Sequence, residues 1–216
     1  MSSQTQQLEN PAPPGLGYPT EVYERRHFNE NNGALTVYFK KLSFVLGSLF
    51  GPRGGRFMNN PYGAFQDSTD QVAANTTTAY PITFNTTDFA NGVTMASGSR
   101  ITVADAGIWN LQFSIQFKNT SNDGQDVDIW FRKNGTNIDN SNSRFHLSQR
   151  KSAGDPSHLI AAMNFFVSMD SADYIEIMWR TTSTAVSLEH FSTSTSPTRP
   201  AVPSAIVTMS FVSNIT

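Results

Sequence analysis

The chain contains no cysteine. That absence excludes a disulfide scaffold, a thiolate metal site and a cysteine nucleophile. Charge is scarce too: 15% of the 216 residues are charged, and they nearly cancel to a formal net charge of −2. No global field therefore draws the protein to nucleic acid or to an anionic membrane. The opening residues Met1 to Gln7 lack a basic segment followed by an apolar run, so no secretory signal is expected. The longest apolar patch, about Leu35 to Phe50, is broken by Lys40 and Lys41 and is too short to cross a membrane. There is no Gly-x-Ser-x-Gly elbow, which speaks against a serine hydrolase. The four histidines, His27, His146, His158 and His190, share no close ligand spacing, which speaks against zinc. The carboxylates Asp139, Asp155, Asp170, Asp173, Glu176 and Glu189 are scattered and single out no pair for glycoside chemistry.

What is present is alternation. Trp109, Leu111, Phe113, Ile115 and Phe117 share one parity, and Asn110, Gln112, Ser114, Gln116 and Lys118 the other. Side chains of a strand point to opposite faces with period two, so this is a strand with a core face and a wet face. Such a strand belongs to an antiparallel sheet. The signal recurs at Ile82 and Phe84, at Ile101 and Val103, and at Val127, Ile129 and Phe131. It returns at Leu159 to Val167, at Ile175, Ile177 and Trp179, at Val186 and Leu188, and at Val207, Met209 and Phe211. Asn134-Gly135 is a hairpin signal, because both residues tolerate positive φ. The expected fold is all-β: an antiparallel sandwich or jelly roll of about eight to ten strands over residues 61–216. Trp130 and Phe166 lie on the second faces of their strands. They are covered either by a neighbouring subunit or by loops of the same chain.

Residues 1–60 read differently. An arm of polar then proline-rich sequence, with Pro11, Pro13, Pro14 and Pro19, precedes a helical stripe over about residues 29–50. Leu35, Tyr38, Phe39, Leu42, Val45, Leu46, Leu49 and Phe50 recur at three- and four-residue steps. Leu35, Leu42 and Leu49 are seven apart with Tyr38 and Val45 between, which suits a short coiled-coil seam. Asn29 or Asn31 can cap the start and Gly51-Pro52 the end. Val37 and Phe44 fall off the stripe, so more than one side is apolar. That favours self-association or docking to a larger partner over packing on the same domain.

Three loop features invite chemistry. Asp123, Asp126 and Asp128 bunch before a strand, and clustered oxygens suit calcium. Their spacing is not that of an EF-hand and favours a solvated hairpin end, so no metal is expected. Arg144, His146, Arg150 and Lys151 form a basic cluster able to meet an anionic glycan or another protein, although such loops are commonly just solvated. Asn75, Asn85 and Asn134 head glycosylation sequons that read most simply as turn and strand residues.

The stretch Ala106 to Ser114 resembles a strand neighbourhood of the complement and tumour-necrosis-factor-like jelly roll. Asp128 to Gly135 is similar to its following hairpin, and Asp173 to Trp179 and Pro203 to Thr208 to two later strands. This similarity covers about residues 62–213. Ile82 to Asp88, Arg100 to Val103, Pro197 to Pro200 and the Gly-Pro-Arg-Gly-Gly to Asn60 to Phe65 join also resemble structural proteins of marine tailed bacteriophages. The resemblance implies a ten-stranded sandwich, a homotrimer and a place in fibres, spikes or decorations of a virion. It carries no fixed catalytic residues and none are transferred.

The expectation is therefore a homotrimeric virion protein, not an enzyme, without cofactor, nucleic-acid contact or membrane insertion. Residues 1–60 would anchor it to other phage virion proteins, and the jelly roll would project, with a host-surface glycan as a further candidate partner. A fibre-like or tail-associated attachment protein, a head decoration or connector, a carbohydrate-binding module and an enzyme remain the alternatives, in that order.

Overall fold

In the computed structural model, residues 11–18, 21, 22, 24–50 and 60–214 are described. The chain divides into two compact units between Asn59 and Asn60.

The first unit holds one helix, α1 (Arg25–Phe50, 26 residues). At 1.5 Å per residue it is about 39 Å long, longer than the stripe over 29–50 suggested. Neither Asn29 nor Asn31 caps its start. The Phe28 amide donates to the Glu24 carbonyl at 3.1 Å, so the helix is already formed where Asn29 and Asn31 stand. The Asn31 side chain is used otherwise: its Oδ1 accepts from the Gly17 amide at 3.3 Å, and its amide nitrogen lies 3.2 Å from His27 Nε2. The Gly17 hydrogen bond ties the proline-rich arm to the helix, and Pro11 and Pro14 line a shallow depression together with Ala34, Val37 and Tyr38. An exposed Arg26–Glu30 pair at i,i+4 (2.9 Å) supports the first turns.

The second unit is an antiparallel sandwich. Its strands are β1 (Tyr62–Asp67), β2 (Gln71–Val72), β3 (Tyr80–Pro81), β4 (Thr86–Asn91), β5 (Val93–Ala96), β6 (Arg100–Val103), β7 (Gly107–Asn119) and β8 (Gln125–Lys133). They continue with β9 (Thr136–Asn137), β10 (Ser143–Leu147), β11 (Ser157–Met169), β12 (Tyr174–Thr181), β13 (Val186–Leu188), β14 (Ser194–Thr195), β15 (Thr198–Arg199) and β16 (Ala205–Ser213). Ten of them, among the described residues, have four residues or more. The first sheet runs β4-β1-β16-β7, with β11 along the whole other edge of β7 and β13 pairing its end. The second runs β10-β8-β12-β6-β5.

The winding is regular. Take β1, β6, β7, β8, β10, β11, β12 and β16 as one series. The first pairs with the last, the second with the seventh, the third with the sixth and the fourth with the fifth. A long eight-strand hairpin folded over on itself has these pairings. The fold is closed by β16 on β7 and β12 on β8.

The core lies between the sheets. Trp109, Leu111, Ile115 and Phe117 of β7 are at most 1% exposed and Phe113 4%. They face Val127, Ile129 and Phe131 of β8 and Ile175, Ile177 and Trp179 of β12, all equally buried. Phe117 meets Trp179 across the gap with centroids 5.8 Å apart. Ile82 and Phe84 are buried without belonging to a ladder strand. Their amides donate singly to the Ile177 and Gly98 carbonyls. Gly107 opens β7 where a Cβ would collide with the Phe211 ring and the Ser213 carbonyl. The β8–β9 turn is Asn134-Gly135, with φ of 48° and 82°, the two left-handed residues of a tight hairpin.

Candidate binding face

The outward parity of β8 carries Asp126, Asp128, Trp130 and Arg132. Register with β10 and β12 decides what each meets. Asp128 lies opposite Arg144 on one side and Arg180 on the other. Arg144 donates from Nε to Asp128 Oδ1 (2.8 Å) and from Nη2 to Oδ2 (3.1 Å), while Arg180 Nε donates to Oδ2 at 2.8 Å. The Asp128 side chain is 6% exposed, those of Arg144 and Arg180 57% and 41%. Two guanidinium groups thus share one buried carboxylate. The Arg144 hydrogen bonds hold the Asp128 carboxyl below the usual carboxylate range; burial opposes this and Arg180 adds to it.

Four residues along, Arg132 grips buried Glu176 Oε2 with Nε (3.0 Å) and Nη2 (2.8 Å), and the Ser99 hydroxyl donates to Oε1 at 2.8 Å. Arg100 stands 3.8 Å from the same carboxylate and 4.6 Å above the Tyr174 ring. Between these two arginine–carboxylate groups sits Trp130. Its indole N–H donates to Asn137 Oδ1 at 2.9 Å, and its cross-strand neighbour Met178 is 1% exposed. An open depression of about 470 Å³ lies alongside, lined by Trp130, Asp128, Arg144 and Arg180 and by the amides of Asn137, Asn140 and Asn142.

The three aspartates weighed for calcium are not brought together. Asp126 pairs with His146 (2.8 Å), Asp128 with two arginines, and Asp123 is engaged through its carbonyl by Asn119 and Ser121. No group of three or more His, Asp or Glu side chains able to hold a metal occurs among the described residues. The basic cluster is dispersed as well. Arg144 and His146 stand on β10, Arg150 donates to Asn122 at 2.8 Å, and Lys151 lies 3.6 Å from Asp155. Arg180, Arg100 and Asn137 complete the face and were not singled out by sequence. The parity of Asp128, Trp130 and Arg132 was the signal; Arg180 joins them only through β12 register.

On α1, Leu35, Tyr38, Leu42 and Val45 are half-buried, whereas Phe39 (59%) and Leu46 (43%) of the same stripe are exposed, as is Val37 off it. The side chains of Leu49 and Phe50 lie outside the described residues. No helix among the described residues is long and apolar enough to cross a membrane. The outer side of the first sheet exposes Ile160, Phe166 and Ile206, and Tyr62 and Phe89 touch at its edge, 5.9 Å between centroids.

No protein-family model and no curated protein matches this chain.

Proposed function

We propose that the protein is a structural component of a tailed-bacteriophage virion that works by binding and catalyses nothing. Three chains associate. Residues 1–60 hold other virion proteins, and residues 61–216, read as a jelly roll, are displayed for attachment to a host surface. The first-with-last winding of these eight strands supports the jelly-roll reading. The observation that carries the assembly reading is the exposure of Phe39 and Leu46 on a helix whose own arm leaves them uncovered. Large apolar side chains clustered on a surface mark contact sites. Ile160, Phe166 and Ile206 on the first sheet offer a second such area. Three copies also multiply weak contacts into firm attachment.

The test is the mass of the purified full chain in solution. Three chains of 23.8 kDa are expected, and a monomer overturns the assembly. Deleting residues 1–58 in the producing phage abolishes incorporation into particles; normal incorporation refutes the anchor. Imaging particles labelled at the C-terminus then separates a tail component from a head decoration.

A further inference from the structure

We infer that the depression beside Trp130 binds an acidic saccharide, with a pyranose ring against the indole and its carboxylate or sulfate on Arg180 and Arg144. This deepens the attachment role proposed above and rests on it for the source of the sugar.

The two arginines keep unused donors. Arg180 spends only Nε on Asp128, and among the described residues nothing accepts from its two terminal nitrogens. Arg144 retains Nη1. One carboxylate between two guanidinium groups leaves one positive charge over at the pair itself, offset across the depression by the exposed carboxylate of Asp139; the selective element is the planar guanidinium edge, which recognises carboxylate and sulfate through paired, charge-assisted hydrogen bonds. The pair is also fixed in place. Its hold on a buried carboxylate means that ligand binding orders little that is still free.

The rest of the lining suits a sugar. Asn140 and Asn142 are exposed amides, each both donor and acceptor, and Asp139 is an exposed acceptor. Trp130 is half-buried and anchored by Asn137, so it presents a fixed aromatic surface to sugar C–H groups. The depression is open and mixes polar with apolar lining, as a sugar's two kinds of surface require, unlike the enclosed apolar cavities that take hydrophobic ligands. Its position on the outer face of the second sheet leaves the apolar side chains of the first sheet to subunit contact.

The test uses the full chain and reads tryptophan fluorescence. Of the three tryptophans, Trp109 and Trp179 are 0% and 1% exposed, so a surface ligand reports through Trp130 alone. Titration with an oligo-uronate is expected to change that emission with a Kd of about 1 mM or tighter per site. Its uncharged methyl ester should bind at least about tenfold more weakly. Arg180→Lys keeps a charge for Asp128 but loses the forked donors, and should weaken the uronate about tenfold while leaving the circular dichroism intact. Trp130→Phe should remove the emission change, and calorimetry then reads residual binding.

No response of the wild-type chain to the uronate or to a sulfated oligosaccharide, or equal binding of the methyl ester, overturns the inference. Unchanged affinity in Arg180→Lys overturns it too. The solution mass judges the assembly independently. A silent titration on an intact trimer defeats the sugar site alone, whereas a monomer defeats the assembly reading.

Discussion

The Phe131 ring, from the second sheet, stacks on that of Phe165, from the first, with centroids 4.5 Å apart and planes 25° apart. Phe113 meets the same ring edge-on at 6.0 Å. One side chain of β8 is thus held by two neighbouring strands of the facing sheet, and it is fully buried. Aromatic pairs in these geometries add to the burial of area itself.

Truncating Phe131 should therefore remove more than a surface count of one ring. Phe131→Ala is expected to lower stability by about 3–5 kcal/mol, measured by urea denaturation, and Phe165→Ala by less because Phe165 is half-buried. Phe113→Asp should yield no folded protein, since it places a carboxylate among apolar side chains with no partner. A native-like Phe113→Asp product in circular dichroism would show that this parity is not the core.

These positions were readable in the sequence because burial on one face of a strand imposes period two. In β7 the alternation is unbroken over Trp109 to Phe117. Asn134-Gly135 was readable because positive φ at consecutive residues admits few side chains. Ile82 and Phe84 misled by one step: their apolar parity reflects burial, which a segment beside a strand shares without joining its ladder. The helix start was misplaced because Asn31 has the chemistry of a cap but bonds Gly17 instead. The Asp128–Arg144–Arg180 group was out of reach. The separations of 16 and 52 residues are bridged only by register, and nothing local in the chain states which strands pair.

The same group makes stability depend on pH. The folded-state pKa of Asp128 lies below that of an unfolded aspartate. Its contribution is then complete above the unfolded value, about pH 4, and is lost as pH falls through the folded value. Asp173 pulls in the same direction: burial raises its carboxyl, but hydrogen bonds from Asn134, the Asp170 amide and Lys133 outweigh that. Asp128→Asn should be less stable than wild type at pH 7, because two guanidinium groups lose their shared charge. The gap should close as both are acidified below about pH 4. Thermal melts across pH 2–7 measure it, and a gap that stays constant throughout would rule out the charge as its cause.

Phe39 and Leu46 give the helix its own test. Both are exposed in the single chain, so Asp at either place should change the fold of one chain by little, within about 0.5 kcal/mol for an ordinary surface site. In an assembled seam the same change sets charges against apolar neighbours on the adjoining helices, where they lose water without gaining a partner. Phe39→Asp combined with Leu46→Asp is expected to shift the solution mass from three chains toward one while the β-sheet circular dichroism stays as it was. An unchanged mass would mean that the subunits meet elsewhere, with Ile160, Phe166 and Ile206 on the first sheet the next residues to charge.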